Sequence, residues 1–206
     1  MREAAAGAAL LLASASPYRR KMLQDAGVSF DAVAANVDEA ALKRELYARA
    51  SKPSAGTVAS ALAQAKAEAV SRMHKDAMVI GADQVLVLED DLLDKPGSAG
   101  AARVQLTRLR SKTHRLISAV VLAQAGAVLW THVDEAQLTM RTFSDAFLDR
   151  YVAEAGARLA GIVGAYEIEG RGIQLFERVE GDHFTIIGLP LVPLLAELRS
   201  RGAIEA

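Results

Sequence analysis

The rest of this 206-residue chain is arranged around Met78-Val79-Ile80-Gly81-Ala82-Asp83-Gln84-Val85-Leu86-Val87-Leu88, in which a glycine, an alanine, an acid and an amide separate two apolar runs. Short runs rich in β-branched residues are typical of buried strands, and here one run enters the segment and another leaves it. Gly81 and Ala82 lack bulk, so a ligand or another backbone can approach closely. We therefore expect two strands here, with Asp83 either a plain turn aspartate or a carboxylate aimed at a metal ion or a water.

The sequence on either side alternates strands and helices at first and later favours long paired strands. Further strands are expected at residues 8–13, 29–35, 92–93, 113–123, 128–140, 173–176 and 184–187. Helices are expected at residues 18–26, 40–50, 57–74, 99–109, 144–155 and 190–200. This order predicts an α/β fold, a mixed elongated sheet flanked by helices, in a single domain of residues 1–206 with two lobes around a central cleft.

The composition narrows the class of protein. Hydrophobic residues make up 51% of the chain and charged residues 24%, which is typical of a soluble globular protein. The formal net charge is −1, so no global field favours nucleic acid or anionic lipid. The chain has no cysteine, which excludes disulfides, zinc–thiolate sites and a cysteine nucleophile and fits a reducing cytoplasm. No apolar run reaches membrane length, and the N-terminal run is expected to be a strand rather than a signal segment.

A serine- and arginine-rich segment lies where the first expected strand gives way to the first expected helix. It reads Ser14-Ala15-Ser16-Pro17-Tyr18-Arg19-Arg20. The first amides of a helix lack backbone partners and carry positive potential, so serines and arginines there favour a phosphate chain. The alternative is an ordinary N-cap at Ser16, followed by surface arginines.

Other charged residues have a functional and an ordinary interpretation. The acid pair Asp38-Glu39 and the acid Asp83 could converge on a divalent cation, or they could simply be solvated. Lys66 and Lys95 could each hold a phosphate or be merely exposed. The four histidines show no metal-ligand spacing, and the glycine-rich region contains neither a P-loop nor a dinucleotide fingerprint.

Taken in order, six motifs resemble the Maf (septum formation) family of nucleoside triphosphate pyrophosphatases. They are Leu12-Ala13-Ser14-Ala15-Ser16-Pro17-Tyr18-Arg19-Arg20, Val37-Asp38-Glu39, Ala63-Gln64-Ala65-Lys66-Ala67, Gly81-Ala82-Asp83-Gln84, Lys95-Pro96 and Gly188-Leu189-Pro190-Leu191. Each motif is short, but the ordered series is specific and spans nearly the whole chain.

The resemblance implies a fold like that of Maf and inosine-triphosphatase proteins. It also implies hydrolysis of the α–β phosphoanhydride of a nucleotide to the monophosphate and pyrophosphate. Asp83 would accept the proton of the attacking water, and Glu39 and Asp83 would hold a divalent cation, Mg²⁺ or Mn²⁺. The other implied catalytic or phosphate-binding residues are Ser14, Ser16, Arg19, Lys66 and Lys95.

Three positions that sort the family's branches resemble the 7-methyl-GTP pyrophosphatases. They are Tyr18, Gln84 and Glu169. An aromatic ring can stack on a positively charged methylated purine, and a glutamate can accept hydrogen bonds from the donors of guanine. Two positions depart from this pattern. Ala65 stands where the family commonly has glutamate, and Tyr166 resembles the tyrosine of the branch that acts on dTTP and UTP.

Other functions stay open at this level. The chain could be a pyrophosphatase for dTTP, UTP or other modified nucleotides, or a non-catalytic nucleotide-binding regulator of septum formation. The partners that we expect are a nucleoside triphosphate and, by family resemblance, a second copy of the chain in a homodimer. Neither nucleic acid nor a membrane is expected as a partner, and the expected location is the cytoplasm.

Overall fold

The computed structural model describes residues 9–49 and 52–205, so the expected element ends at Ala8 and Ala50 lie outside the described residues. The strands are β1 (Leu10–Leu12), β2 (Asp31–Ala32), β3 (Met78–Leu88), β4 (Asp91–Leu93), β5 (Thr113–Gln124), β6 (Ala127–Met140) and β7 (Phe176–Glu180). The α-helices are α1 (Pro17–Asp25), α2 (Glu39–Arg49), α3 (Ala55–Met73), α4 (Ala99–Leu109), α5 (Asp145–Ala155), α6 (His183–Ile187) and α7 (Leu191–Ser200). Two 3₁₀ helices cover Gly156–Gly161 and Arg171–Leu175.

The described strands form one mixed sheet, as the sequence predicts. Their order is β2-β1-β3-β5-β6-β7, and β4 pairs with β3. Strand β1 is parallel to both β2 and β3, with Leu12 opposite Ala32 and Ile80. Strands β4 and β7 run antiparallel to β3 and β6. The α/β class with a mixed sheet and helices is therefore confirmed.

Strand β3 is one element and not the two strands expected. All eleven residues from Met78 to Leu88 are in strand conformation. No turn forms at Gly81. The absence of a side chain there instead lets a helix pack closely against the strand. A Cβ there would lie 2.3 Å from the Ala63 carbonyl oxygen and 2.7 Å from Ala67 Cβ. The space beside Gly81 is thus filled by helix α3, and Asp83 lies within a continuous strand.

The chain divides into two compact units. The first comprises Met1–Asp83, Ser118–Asp134 and Ile187–Ala206, and one of its apolar clusters joins β1 and β3 to helix α3 through Leu11, Val79 and Val70. The second comprises Gln84–Ile117 and Glu135–Ile186. Its core includes Leu106 of α4 and Leu148 of α5. Each unit therefore has apolar packing of its own.

Most of the expected helices are present because local caps fix their ends. Ser16, Ser54 and Ser144 each accept a hydrogen bond from the backbone N–H three residues later and begin α1, α3 and α5. The long strands β5 and β6, expected as a pair, are neighbours in the sheet and are joined as a hairpin by a turn through Ala125 and Gly126, both at positive φ.

The strand predictions were wrong at two late positions and too long at one early position. Residues 173–176 lie mostly in a 3₁₀ helix, with Phe176 opening strand β7, and residues 184–187 belong to helix α6. The strand expected over residues 29–35 covers only Asp31–Ala32. Short apolar runs do not distinguish a strand from a helical turn, because both bury a few residues in succession.

None of the helices formed by residues 9–49 and 52–205 is long and apolar enough to cross a membrane.

Candidate active site

The two units each contain part of the residue set that the sequence singles out. Ser14, Ser16, Tyr18, Arg19, Glu39, Lys66 and Asp83 belong to the first unit, and Gln84, Lys95 and Glu169 belong to the second. Within the first unit, two carboxylates, one lysine, one arginine and one serine come together. The second unit holds its three residues in separate loops and strands.

Lys66 is the centre of the cluster in the first unit. Its Nζ donates to Asp83 Oδ1 at 2.5 Å and lies 2.7 Å from Glu39 Oε1. The side chains of Lys66 and Asp83 are only 13% and 10% exposed, whereas that of Glu39 is 47% exposed. One buried cation thus bridges a shielded carboxylate and a more accessible one.

Close packing of α3 on β3 accounts for this contact. Lys66 lies on α3 between Ala63 and Ala67, the two residues that approach Gly81. Gly81 and Asp83 are two residues apart and lie on the same face of strand β3. The face of α3 that fits against the glycine therefore brings the lysine to the aspartate.

Arg19 is held on the first turn of α1. Its Nε donates to the Gly188 carbonyl at 2.8 Å and its Nη1 donates to Ser14 Oγ at 3.3 Å. Burial lowers the pKa of Arg19 from its ordinary value, and the negative charges of Asp83 and Glu39 act in the opposite direction. Arg19 therefore lies in the field of both carboxylates and still carries its positive charge, since the ordinary pKa of arginine is far above neutral.

The two serines of the first motif have different structural tasks. Ser14 is buried, and its Oγ accepts from Ser16 N–H at 3.2 Å as well as from Arg19. Ser16 is the N-cap of α1, so the ordinary interpretation holds for its side chain. Its Oγ accepts from Arg19 N–H at 3.4 Å. Tyr18 follows on α1 and is half-buried.

The two acids of the Asp38-Glu39 pair have different contacts: Asp38 caps a helix, and Glu39 reaches the site. Asp38 Oδ1 accepts from Ala41 N–H at 2.8 Å, which caps helix α2. Glu39, the first residue of that helix, instead reaches Lys66. Glu39 and Asp83 thus both contact Lys66 Nζ, and their convergence on a divalent cation stays a prediction.

These residues fit a hard divalent cation only in part. The two carboxylate oxygens approach one Nζ closely, and oxygen ligands at short range are what Mg²⁺ and Mn²⁺ take. Across residues 9–49 and 52–205, no cluster of three or more histidine, aspartate or glutamate side chains is placed to hold a metal ion. A cation at Asp83 and Glu39 therefore needs further oxygens, which phosphate groups can supply.

In the second unit, Gln84 is bound by the backbone near α6. Its Nε2 donates to the Thr185 and Ile186 carbonyls, both at 3.0 Å. Both amide hydrogens are used in this way, so any contact of Gln84 with a ligand depends on Oε1, an acceptor.

Lys95 and Glu169 are exposed in the second unit. Lys95 lies in the loop between β4 and α4. Glu169 Oε1 lies 4.0 Å from His183 Nε2, a neighbour that the sequence did not indicate because the histidines follow no ligand pattern. Gly188, whose carbonyl accepts from Arg19, was not expected among the site residues either, although it opens one of the six motifs.

Tyr166 is a core residue of the second unit and is 5% exposed. Its hydroxyl lies 2.8 Å from His114 Nε2, and its ring meets Phe176 edge-on with centroids 4.8 Å apart. The ring is therefore used in packing and is not available to stack on a base. The tyrosine in which this chain resembles the branch that acts on dTTP and UTP is thus a residue of the core.

The protein is therefore a mixed α/β protein with a cluster of two acids, a lysine and an oriented arginine, whose formal charges cancel. The family model described as Maf-like protein matches residues 9–201, and the chain belongs to the Maf family.

Relatives that are named for an enzymatic activity are similar to this protein over nearly the whole chain. The 7-methyl-GTP pyrophosphatase of Rhizobium meliloti (strain 1021) is 49% identical over 96% of this chain and 98% of its own. That of Brucella abortus biovar 1 is 48% identical over 95% and 98%. The nucleoside triphosphate pyrophosphatase of Granulibacter bethesdensis is also 48% identical over 95% and 98%. A solved dITP/XTP pyrophosphatase of Mycobacterium abscessus covers 94% of this chain and 95% of its own, at 14% identity and a TM-score of 0.40, a level that does not by itself indicate a shared fold.

Proposed function

We propose that the chain is a nucleoside triphosphate pyrophosphatase. It hydrolyses the α–β phosphoanhydride of a 7-methyl-GTP-like nucleotide and releases the nucleoside monophosphate and pyrophosphate. The observation that carries this proposal is the bridge from Lys66 to Asp83 and Glu39, because it combines a base, a phosphate-binding cation and a second acid in one place. The relatives named 7-methyl-GTP pyrophosphatase, at 48% to 49% identity, support the nucleotide.

Asp83 is proposed as the proton acceptor for the attacking water. Its side chain is 10% exposed, so it is rigidly held and still reachable from solvent. Lys66 orients the carboxylate through its hydrogen bond to Oδ1. Hydrolysis of a phosphoanhydride depends mainly on positioning and charge neutralisation, and this arrangement supplies the positioning.

Charge balance supports a divalent cofactor. The formal charges of Arg19 and Lys66 cancel those of Asp83 and Glu39, so the cluster alone attracts a polyphosphate weakly. Glu39 and Asp83 are the residues that would hold Mg²⁺ or Mn²⁺, with phosphate oxygens as further ligands. A bound divalent cation supplies acidification of the attacking water and neutralisation of phosphate charge.

Phosphate binding is assigned to the start of α1 and to two lysines. Arg19 presents a planar guanidinium suited to bidentate contact with phosphate oxygens. Ser14 adds a hydroxyl donor, and helix α1, which begins after its N-cap Ser16, adds the positive potential of its N-terminus. Lys66 and Lys95 neutralise charge on the leaving pyrophosphate.

Base recognition is assigned to Tyr18, Gln84 and Glu169. The half-buried ring of Tyr18 can stack on the cationic 7-methylguanine. Gln84 Oε1 and the exposed carboxylate of Glu169 are acceptors, and guanine offers adjacent N–H donors at N1 and its exocyclic amine. Uracil and thymine offer no such pair.

The experiment is a pyrophosphate-release assay with Mg²⁺ or Mn²⁺ over 7-methyl-GTP, GTP, UTP and dTTP. The highest kcat/KM is expected for 7-methyl-GTP. Glu169→Gln should lower kcat/KM for 7-methyl-GTP about tenfold or more and leave UTP nearly unchanged, because a charged acceptor is lost. Glu180→Gln, at an exposed glutamate of β7 in the same unit, is the matched control. A preference for UTP or dTTP in the wild-type protein would contradict the proposed nucleotide.

The assembly proposed with this function is a homodimer in the cytoplasm. Light scattering at micromolar concentration tests the dimer, and a mass of one chain would reject it.

A further inference from the structure

The motif Gly188-Leu189-Pro190-Leu191 has no task in the function proposed above. Gly188 has φ of +117°, and helix α7 begins just after it at Leu191. Leu189 and Leu191 are buried, with 0% and 3% exposure. The motif is therefore a fixed piece of backbone in the first unit, anchored by apolar side chains.

The carbonyl of Gly188 points at the arginine of the phosphate site. It accepts from Arg19 Nε at 2.8 Å, across a sequence separation of 169 residues. Ser14 Oγ accepts from Nη1 of the same guanidinium at 3.3 Å. Two contacts on different nitrogens fix the plane of a rigid guanidinium, whose other N–H donors then project in a set direction.

The direction of this carbonyl is set by a conformation that suits glycine. A φ of +117° is strained for any residue with a Cβ, so a side chain would rotate the peptide that carries the carbonyl. The proline at 190 also restricts the backbone of Leu189, and the leucine side chain is fully buried. The chain therefore cannot turn this carbonyl away without disturbing its anchors.

We infer that Gly188 is a positioning residue for phosphate binding: its carbonyl holds the Arg19 guanidinium in the plane that receives the nucleotide's phosphate oxygens. This inference rests on the proposed function, since it assigns a task within the same site. The rival explanation is that the Arg19–Gly188 bond only fastens α1 to the start of α7. The two explanations differ in what they predict for ligand binding once stability is accounted for.

The first test compares Gly188→Ala with Gly202→Ala. Gly202 also has positive φ, +68°, lies in the same unit and has open space around its Cβ position. The measurements are KM and kcat for pyrophosphate release and the Kd of inorganic tripolyphosphate by calorimetry. Gly188→Ala should raise KM and Kd about tenfold or more, the usual cost of a charge-assisted hydrogen bond, and Gly202→Ala should leave both nearly unchanged. Equal values in the two variants would overturn the inference.

A double-mutant cycle tests whether Gly188 acts through Arg19. If Gly188 acts through Arg19, then Gly188→Ala should change the Kd of tripolyphosphate less than about twofold in an Arg19→Ala background. A full effect of Gly188→Ala in that background would mean that the glycine acts independently of the arginine, and the inference would fail.

If Gly188→Ala does not fold, Arg19→Lys keeps the inference falsifiable without touching the backbone. Lysine keeps the positive charge but has no Nε–H fork to engage both Gly188 and Ser14. KM should then rise about tenfold or more, and a KM near the wild-type value would overturn the inference. The proposed function has a separate test in the wild-type protein, and it would be refuted if that protein neither released pyrophosphate nor bound tripolyphosphate. The variants test only the role of Gly188.

Discussion

At the scale of single residues, the site depends on how Lys66 divides its contacts. Its Nζ lies close to Asp83 and to Glu39, but the two acids differ in exposure, 10% against 47%. A shielded carboxylate paired to a lysine suits proton transfer from a positioned water, because its orientation is fixed. The exposed carboxylate can adjust to a ligand. We therefore propose separate roles for the two acids.

Replacement of Asp83 by asparagine should abolish turnover while the fold persists. The amide is nearly isosteric and can still accept from Lys66, but it cannot take a proton. We expect kcat to fall about 100-fold or more. Asp25→Asn, at an exposed aspartate of the same unit that pairs with Lys21, should keep the wild-type rate. Thermal unfolding of both variants verifies the fold, and near-normal hydrolysis by Asp83→Asn would refute the base assignment.

Replacement of Glu39 by glutamine should weaken metal binding more than the fold. Its side chain is half-exposed, so the loss of charge is tolerated structurally. We expect the Mn²⁺ concentration for half-maximal activity to rise about tenfold or more and direct Mn²⁺ binding to weaken in parallel. Glu45→Gln, further along α2 and paired with Arg49, is the control. An unchanged metal requirement would remove Glu39 from the metal site.

At the scale of elements, the contact between α3 and β3 builds the site. Gly81 lets the helix backbone approach the strand, with the Ala63 carbonyl 2.3 Å from the position a Cβ would occupy. Neither partner can yield there, because one is a helix backbone and the other a buried strand. The same approach brings Lys66 to Asp83. Packing and chemistry therefore depend on one glycine.

Gly81→Ala should destabilise the protein and slow it. The added methyl must push α3 outward, which overpacks the contact and lowers the free energy of unfolding by about 1 to 3 kcal/mol or more. The displaced Lys66 should also reduce kcat. Gly56→Ala on the same helix, whose Cβ would meet its nearest neighbour at an ordinary 3.7 Å, should change stability by less than about 1 kcal/mol. Urea unfolding and kcat report both effects, and equal behaviour of the two variants would contradict this explanation.

The elements that the sequence predicted well are those with local end signals. Serine caps fixed α1, α3 and α5, and the Ala125-Gly126 turn fixed the β5–β6 hairpin. The strands predicted at residues 173–176 and 184–187 were wrong because these apolar runs are too short to show a hydrophobic period. One available signal was overlooked there: Asp182 Oδ1 accepts from Thr185 N–H at 2.9 Å and so begins α6 as a cap would.

The sequence motifs indicate which residues to propose for the site, but not the contacts between them. Lys66 and Asp83 are 17 positions apart, and Arg19 and Gly188 are 169 apart. Such pairs depend on how α3 and the start of α7 pack, which no local pattern records. Of the two neighbours first expected at Gly81, a ligand or another backbone, the structure has a backbone: helix α3 occupies that space.

At the scale of the whole molecule, the stability of the second unit should depend on one buried histidine. His114 is 1% exposed, and among the described residues its Nδ1 has no hydrogen-bond partner. Burial lowers the pKa of His114 to about 4, because a charged ring there would be poorly solvated. The unfolded chain takes up a proton as the pH falls through about 6.5, whereas the folded chain resists until about 4.

The free energy of unfolding should therefore fall as the pH drops from 6.5 to 4 and be insensitive to His114 above that range. His114→Gln, neutral at every pH, should lose about 2 to 3 kcal/mol less than the wild-type protein over this interval. His74→Gln, at an exposed histidine, should follow the wild type. Urea unfolding at pH 7, 5.5 and 4 measures the difference. Parallel curves for wild type and His114→Gln would contradict the buried neutral histidine.

Cleavage between the α- and β-phosphorus atoms of a nucleotide is the reaction that we propose for this Maf-family chain. Phosphorus NMR of the products formed from 7-methyl-GTP with Mg²⁺ distinguishes this cleavage from loss of the γ-phosphate. We expect 7-methyl-GMP and pyrophosphate in equal amounts, formed by the wild-type protein and not by Asp83→Asn. Formation of 7-methyl-GDP and inorganic phosphate, or equal product from both proteins, would contradict it.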